Sequence, residues 1–337
     1  PEEEEFSADR LHRMNWELVE CVADLGLAAI DRHFNPEVGL QAYDDMYPLL
    51  SKPDVSERFK TDEEFGRQRL GGVNPFMIQR CRELPDPAKF PVTDETVAGL
   101  LPEGSSLAAE LEAGRLYMLD YALLDGIEPR EGFFLTAPLC LLFVDPQGRL
   151  MPLAIQLGQS PEAGPVFTPK DEFWLWQTVK TFVNSADGQY QEAVSHLLKT
   201  HLVLETFAIS THRQLAKGHP VFKLLRPHFR FTMAINHSAR HGLLAHGGPI
   251  DTVFSMGVDG GLALIAKAWN EDTWTFQDYV LEHDLEKRGV EDPEKLPNYH
   301  YRDDGRLMWA TTERFVRDVL GVFYKSDADV QEDFELQ

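Results

Sequence analysis

The chain has 337 residues, enough for a large core and near the length at which single cores divide. Its 55 acidic against 32 basic side chains give a formal charge of -23, which argues against a nucleic-acid partner and against a polybasic membrane anchor. The three cysteines, Cys21, Cys81 and Cys140, lie far apart with no CxxC, the usage of reduced thiols in a cytoplasmic protein. The opening PEEEEFSADR is acidic and unlike a signal or transit peptide. No apolar run reaches bilayer-spanning length.

In chain order, residues 9–60 read as helices. Leu11, Met14, Leu18, Val22 and Leu25 recur near a 3.6-residue period, and Asn35-Pro36 ends the run. Thr61 is an N-cap candidate for the next helix, which Gly71-Gly72 breaks. Strands are expected at 115–121, 139–144 and 150–157, the last two joined by a hairpin turn at 145–148. We read them as a small scaffold sheet without chemistry. Helices are then expected at 174–185, 193–208, 222–225, 229–244, 262–269 and 306–324. The glycine-rich stretch 247–261 reads as loop and 299–304 as a linker. The acidic stretch 326–335 reads as solvated.

Most histidines fall between Trp174 and Gly248, centred on His196-Leu-Leu-Lys-Thr-His201. Metal-binding helices usually carry histidines four apart, whereas a spacing of five puts the rings roughly 140° apart on a straight α-helix. Either the two rings are unrelated polar groups, or a π-type bulge swings both to one side. Such bulges gather at functional sites. The apolar residues between and after them suggest a helix buried nearly all round. A buried ring nitrogen needs a partner, and two rings five apart suggest a shared one; a metal is one reading, and separately satisfied polar groups the other.

The flanks THLVLETFAISTHRQL and HPVFKLLRPHFRFTMAIN resemble the lipoxygenase family. So do GGVNPFMIQRC, GRLYMLDYALLDGI, APLCLLFVDPQGRLMPLAIQL, DEFWLWQTVKTFVNSAD, LPNYHYRDDGRLMW and VLGVFYKSDADVQEDFELQ, all in family order. The resemblance implies a mainly α fold, a lipoxygenase-type helical catalytic domain. A small β-containing region would lie at about 90–167 and the iron-ligand helix at about 190–212. No segment here resembles the N-terminal lipid-binding β-barrel of many members. The family's H-x3-N helix and terminal carboxylate ligand are also absent from these residues. The resemblance thus implies that a piece on the order of a hundred residues or more is missing, and that this chain alone is inactive.

The same resemblance implies roles. His196 and His201 would hold a non-haem iron. That iron would take a hydrogen atom from the doubly allylic carbon of a polyunsaturated fatty acid, and O2 would add to the radical to give a hydroperoxide. Glu192 and Glu205, each one turn from a ligand, would orient the histidines. Leu197, Leu202, Ile235, Ala239, Leu243 and Ile250 would line an apolar acyl pocket. Val253 or Ser255, with Gly257 nearby, matches the family position tied to the hand of oxygen addition. His212, His219 and His228 are expected in packing, and His237, His241 and His246 in solvent. Partners would be the fatty acid and O2, with no nucleic acid, in the cytoplasm; a peripheral lipid contact is compatible. The competing reading is an incomplete fragment acting only as a fatty-acid-binding or structural module. A metallohydrolase would want H-E-x-x-H, which the sequence lacks.

Overall fold

The computed structural model describes Val19, Ala23, Tyr47 and residues 49–271 and 274–336. The expected helices before residue 47 and Cys21 lie outside the described residues, save Val19 and Ala23, which are helical. The chain divides into two units, Pro1–Glu64 and Phe65–Gln337. The first holds a short α1 (Val55–Arg58) and the opening residues of α2 (Asp62–Gly71), most of which belongs to the second; the Glu64 amide donates to Thr61 Oγ1 at 3.1 Å, the expected cap.

The second unit is built on an antiparallel meander of β1 (Gln79–Arg80), β2 (Leu116–Asp120), β3 (Leu139–Val144) and β4 (Leu150–Gln156), paired in that order. The two-residue β1 was not expected, because Gln-Arg carries no strand signal. In the β3–β4 hairpin Asp145 Oδ1 accepts from the Gln147 and Arg149 amides, while Gly148 takes a φ of 76° that its missing Cβ permits. Every residue of β3 is buried. Side chains alternate across a strand. Cys140, Leu142 and Val144 therefore enter the main core, and Leu139, Leu141 and Phe143 a second one with Phe90, Val97 and Leu107. Covered on both faces, β3 reads as an unbroken apolar run. Leu107 opens α3 (Leu107–Glu112), a helix not expected, capped by Ser106 Oγ on the Ala109 amide.

The helical body begins at α4 (Phe173–Tyr190), six residues longer than expected. It runs without a break through a π-helical segment (Gln191–Leu202) into α5 (Val203–Gln214). Next come α6 (Pro220–Leu225), a 3-10 turn, α7 (Thr232–His241), α8 (Pro249–Val253) and α9 (Gly257–Glu271). α10 (Leu281–Arg288), α11 (His300–Phe323) and α12 (Asp327–Gln331) follow.

Several expectations are corrected here. α7 is shorter than 229–244 because Phe231 adopts a left-handed φ of 66°. The stretch 247–261 is not a loop: it holds α8 and the first turn of α9. Two of its glycines answer to close contact: a Cβ on Gly257 would lie 2.7 Å from Arg130 Cγ and one on Gly260 3.0 Å from Met256 Cβ. The linker expected at 299–304 is the first turn of α11. The acidic stretch 326–335 is largely exposed, as expected, but it is also tethered at two carboxylates. Asp333 accepts from Tyr324 and His219, and Glu335 from the Ala216 amide. Among the described residues no helix is long and apolar enough to cross a membrane.

Candidate functional site

The π segment owes its place to a buried polar cluster beside it. Asp187 on α4 accepts from Arg69 at 2.9 Å, Asn74 at 2.9 Å and Tyr121 at 2.8 Å. Asn74 Oδ1 in turn accepts from Ser195 Oγ, at 3.0 Å, inside the π segment. A wide helical turn shifts carbonyls off their usual amide partners. Here hydroxyls reach two of them: Thr200 Oγ1 donates to the His196 carbonyl and Tyr279 Oη to that of Lys199. The segment is not buried nearly all round, as the sequence suggested. Ala193, Val194 and Leu198 are buried, whereas His196 is exposed.

Across this turn the two imidazoles meet. His196 Nε2 and His201 Nε2 are 3.1 Å apart, with ring centroids at 4.8 Å. Each remaining nitrogen faces an oxygen. His196 Nδ1 lies 3.2 Å from Glu192 Oε2, and His201 Nδ1 lies 2.8 Å from Asn236 Oδ1. Oxygens that accept there place the proton on Nδ1, so in neutral rings both Nε2 lone pairs point at each other. That arrangement calls for a cation between them. Two nitrogens about 2.1 Å from one cation and at right angles lie about 3 Å apart. The donor set thus fits a metal bound by neutral imidazoles. Among the described residues no group of three or more His, Cys, Asp or Glu is arranged to hold a metal, so this pair supplies two donors.

Glu205 does not touch His201 as its spacing suggested. Its Oε2 accepts from Asn236 Nδ2 at 2.7 Å and from Arg240 at 2.5 Å. The Arg240 hydrogen bond, helped by Asn236, holds the buried Glu205 carboxyl below the usual carboxylate range. Sequence reading did not single out Asn236; nothing in its neighbours marks a buried amide.

Beside the histidines opens an apolar cavity of about 250 Å³. Glu192, His196, His201, Leu197, Ile235, Ala239, Leu243 and Ile250 all line it. Leu202 does not: with Val203 it packs against the main core. Further lining comes from Met256, Val258 and Gly261, which sequence reading missed because their stretch looked like loop, and from Ile265, in the helix expected at 262–269. Gln189 supports this lining, accepting from the Met256 amide at 2.8 Å and donating to Ser255 Oγ. Neither Val253 nor Ser255 lines the cavity. The other histidines lie apart from it. His212 packs edge-on against Phe222, and buried His219 accepts from the Val221 amide and meets Asp333. His228, His237, His241 and His246 are exposed. Cys81 and Cys140 form no disulfide.

With this geometry in place, similarity to known proteins is informative. The lipoxygenase family model matches residues 40–337. The human polyunsaturated fatty acid lipoxygenase ALOX15B is 43% identical over 287 residues, covering 83% of this chain and 41% of the relative. Human hydroperoxide isomerase ALOXE3 is 43% identical over 289 residues, covering 84% and 40%. An anaerobic crystal structure of a lipoxygenase in complex with arachidonate superposes with a TM-score of 0.86 at 36% identity, over 95% of this chain and 49% of that one. The chain therefore spans about two fifths of the length of these curated relatives. On the extent of the family match and the identity to its members, the chain belongs to the lipoxygenase family.

Proposed function

We propose that the protein carrying this chain is a fatty-acid dioxygenase whose iron is held in part by His196 and His201. The observation that carries the reading is the convergence of two imidazole Nε2 atoms, 3.1 Å apart, on the wall of an apolar cavity. When bound, iron supplies the one-electron chemistry that removes a hydrogen atom from a doubly allylic carbon and lets O2 add. The chain's own residues do the rest. Asn236 and Glu192 hold the rings by their Nδ1 atoms. Leu197, Ile235, Ala239, Leu243 and Ile250 bind an apolar acyl chain and exclude water from it. The chain would form part of the catalytic domain, with the sheet as scaffold and the segment at about 190–212 as ligand helix. The substrates would be a polyunsaturated fatty acid and O2, met in the cytoplasm or through peripheral contact with a lipid surface.

The test supplies linoleate and O2 to the iron-loaded protein. Growth of conjugated-diene absorbance matched by oxygen uptake is expected. Since a hydroperoxide isomerase is as similar as a dioxygenase, a fatty-acid hydroperoxide is offered in parallel. Consumption of the hydroperoxide with no oxygen uptake from linoleate would overturn the reading. The 337-residue chain by itself is expected to hold iron weakly and oxygenate no dienoate, because two neutral imidazoles compete poorly with water for Fe(II). Robust diene formation by this chain alone would refute that.

A further inference from the structure

Asn236 is buried on α7, outside the cavity, and 35 positions from His201. Its Nδ2 donates to Glu205 Oε2 at 2.7 Å and to the His201 backbone carbonyl at 3.2 Å. Both partners only accept. Arg240, one turn along α7, donates to the same Glu205 oxygen at 2.5 Å and anchors the carboxylate. The amide therefore cannot turn over. Reversed, its carbonyl oxygen would face a carboxylate and a backbone carbonyl in a buried site, and both contacts would lose their hydrogen bond. Its Oδ1 is thus committed to His201 Nδ1 at 2.8 Å. An acceptor at that point requires the proton on Nδ1, although an unconstrained imidazole in water prefers it on Nε2. The Nε2 lone pair is left free, aimed at the position shared with His196.

We propose that Asn236 is a positioning residue that holds His201 in the Nδ1–H tautomer, and that Glu205, tied to Arg240, acts through it by fixing the orientation of the Asn236 amide. This rests on the reading of His201 as a metal ligand and extends it to a chain of three side chains. His196 has a looser arrangement, a single partner at 3.2 Å with the His196 side chain 45% and the Glu192 side chain 36% exposed. The two ligands are then unequal: His201 is preset, and His196 completes the pair.

The test reads the tautomer directly, on the metal-free full chain with ¹⁵N-labelled histidine, by long-range proton–nitrogen correlation. The wild type is expected to carry the His201 proton on Nδ1. Asn236→Leu should move most of it to Nε2 and lower Co(II) affinity by about 10–100-fold. Glu205→Leu should do the same with Asn236 still present. Glu205→Gln should restore the wild-type spectrum, because its amide oxygen still accepts from Asn236; a purely structural role for charge would not be rescued this way. A wild-type proton on Nε2 overturns the proposal and needs no variant, so a substitution that prevents folding does not shelter it. An unchanged spectrum in Asn236→Leu or Glu205→Leu overturns it equally. A protein with the expected tautomer that takes up no iron would refute the functional reading and leave the relay standing.

Discussion

Strand β3 and the π segment Gln191–Leu202 are both rich in apolar residues, yet they use them differently. β3 buries all of its side chains between two cores and pairs its backbone on both sides, without interruption along β2 and with one register shift, at Leu141/Leu142, along β4. The π segment buries three residues, breaks the usual helical bonding and needs hydroxyls and a buried polar cluster to hold it. Stability comes from pattern repetition, which any well-packed chain can supply. The aimed pair of imidazoles comes from a local departure from that pattern, supported from outside.

The sharpest way to break this contrast is His201→Ala in the iron-loaded protein. Iron content and hydroperoxide formation should both fall to background, with the melting temperature within a few degrees of wild type, because the residue is only half-buried. Full iron by elemental analysis would show that the departure serves no metal. Leu141→Ala asks the converse. Fully buried in β3, Leu141 should cost about 2–5 kcal/mol in denaturant titration, with iron per folded molecule unchanged. Lost iron at intact stability would erase the division of labour.

A finer comparison pairs Leu197→Ala with Leu202→Ala. Leu197 lines the cavity and Leu202 packs on the core. The first should change product distribution or KM for the fatty acid by several-fold. The second should mainly lower stability, by about 2–5 kcal/mol or less given its partial exposure. Product analysis with equal shifts for both would move Leu202 into the cavity. The smallest effect is in the scaffold. Burial pushes the Cys81 thiol up to about 12, so at pH 8 it stays protonated. Its reaction with a disulfide reagent should be at least about two orders of magnitude slower in the folded than in the unfolded chain, rising only as pH climbs towards that value. Equal rates would mark the sheet edge as open.

How legible each part was follows from the same contrast. The run Leu139–Val144 could be read to the residue because burial on both faces leaves an unbroken apolar signature. The five-residue spacing of His196 and His201 announced the π turn because only an irregular helix aligns them. What was hidden depends on partners distant in sequence. Gly257 and Gly260 look like loop residues until Arg130 and Met256 are seen pressing on them. α10 is nearly all charged, with Leu281 and Leu285 as its apolar anchors, too few to show a period. Asp333 and Glu335 read as solvated until His219, Tyr324 and the Ala216 amide are seen to bind them. Asn236 gains meaning only from Glu205 and His201, over 30 positions away.

The Ser195–Asn74 hydrogen bond carries a consequence for the order of assembly. It joins residues 121 positions apart, and the neighbouring Arg69–Asp187 pair joins residues 118 apart. Closing loops of that length is entropically slow and is rewarded only once both ends are already packed. The wide turn is therefore expected to settle after the sheet and α4, so that the nascent molecule passes through a stage with its scaffold complete and its histidines still unaligned. Metal offered during synthesis would find no preformed seat, and competence to bind it would serve as a late marker of native folding.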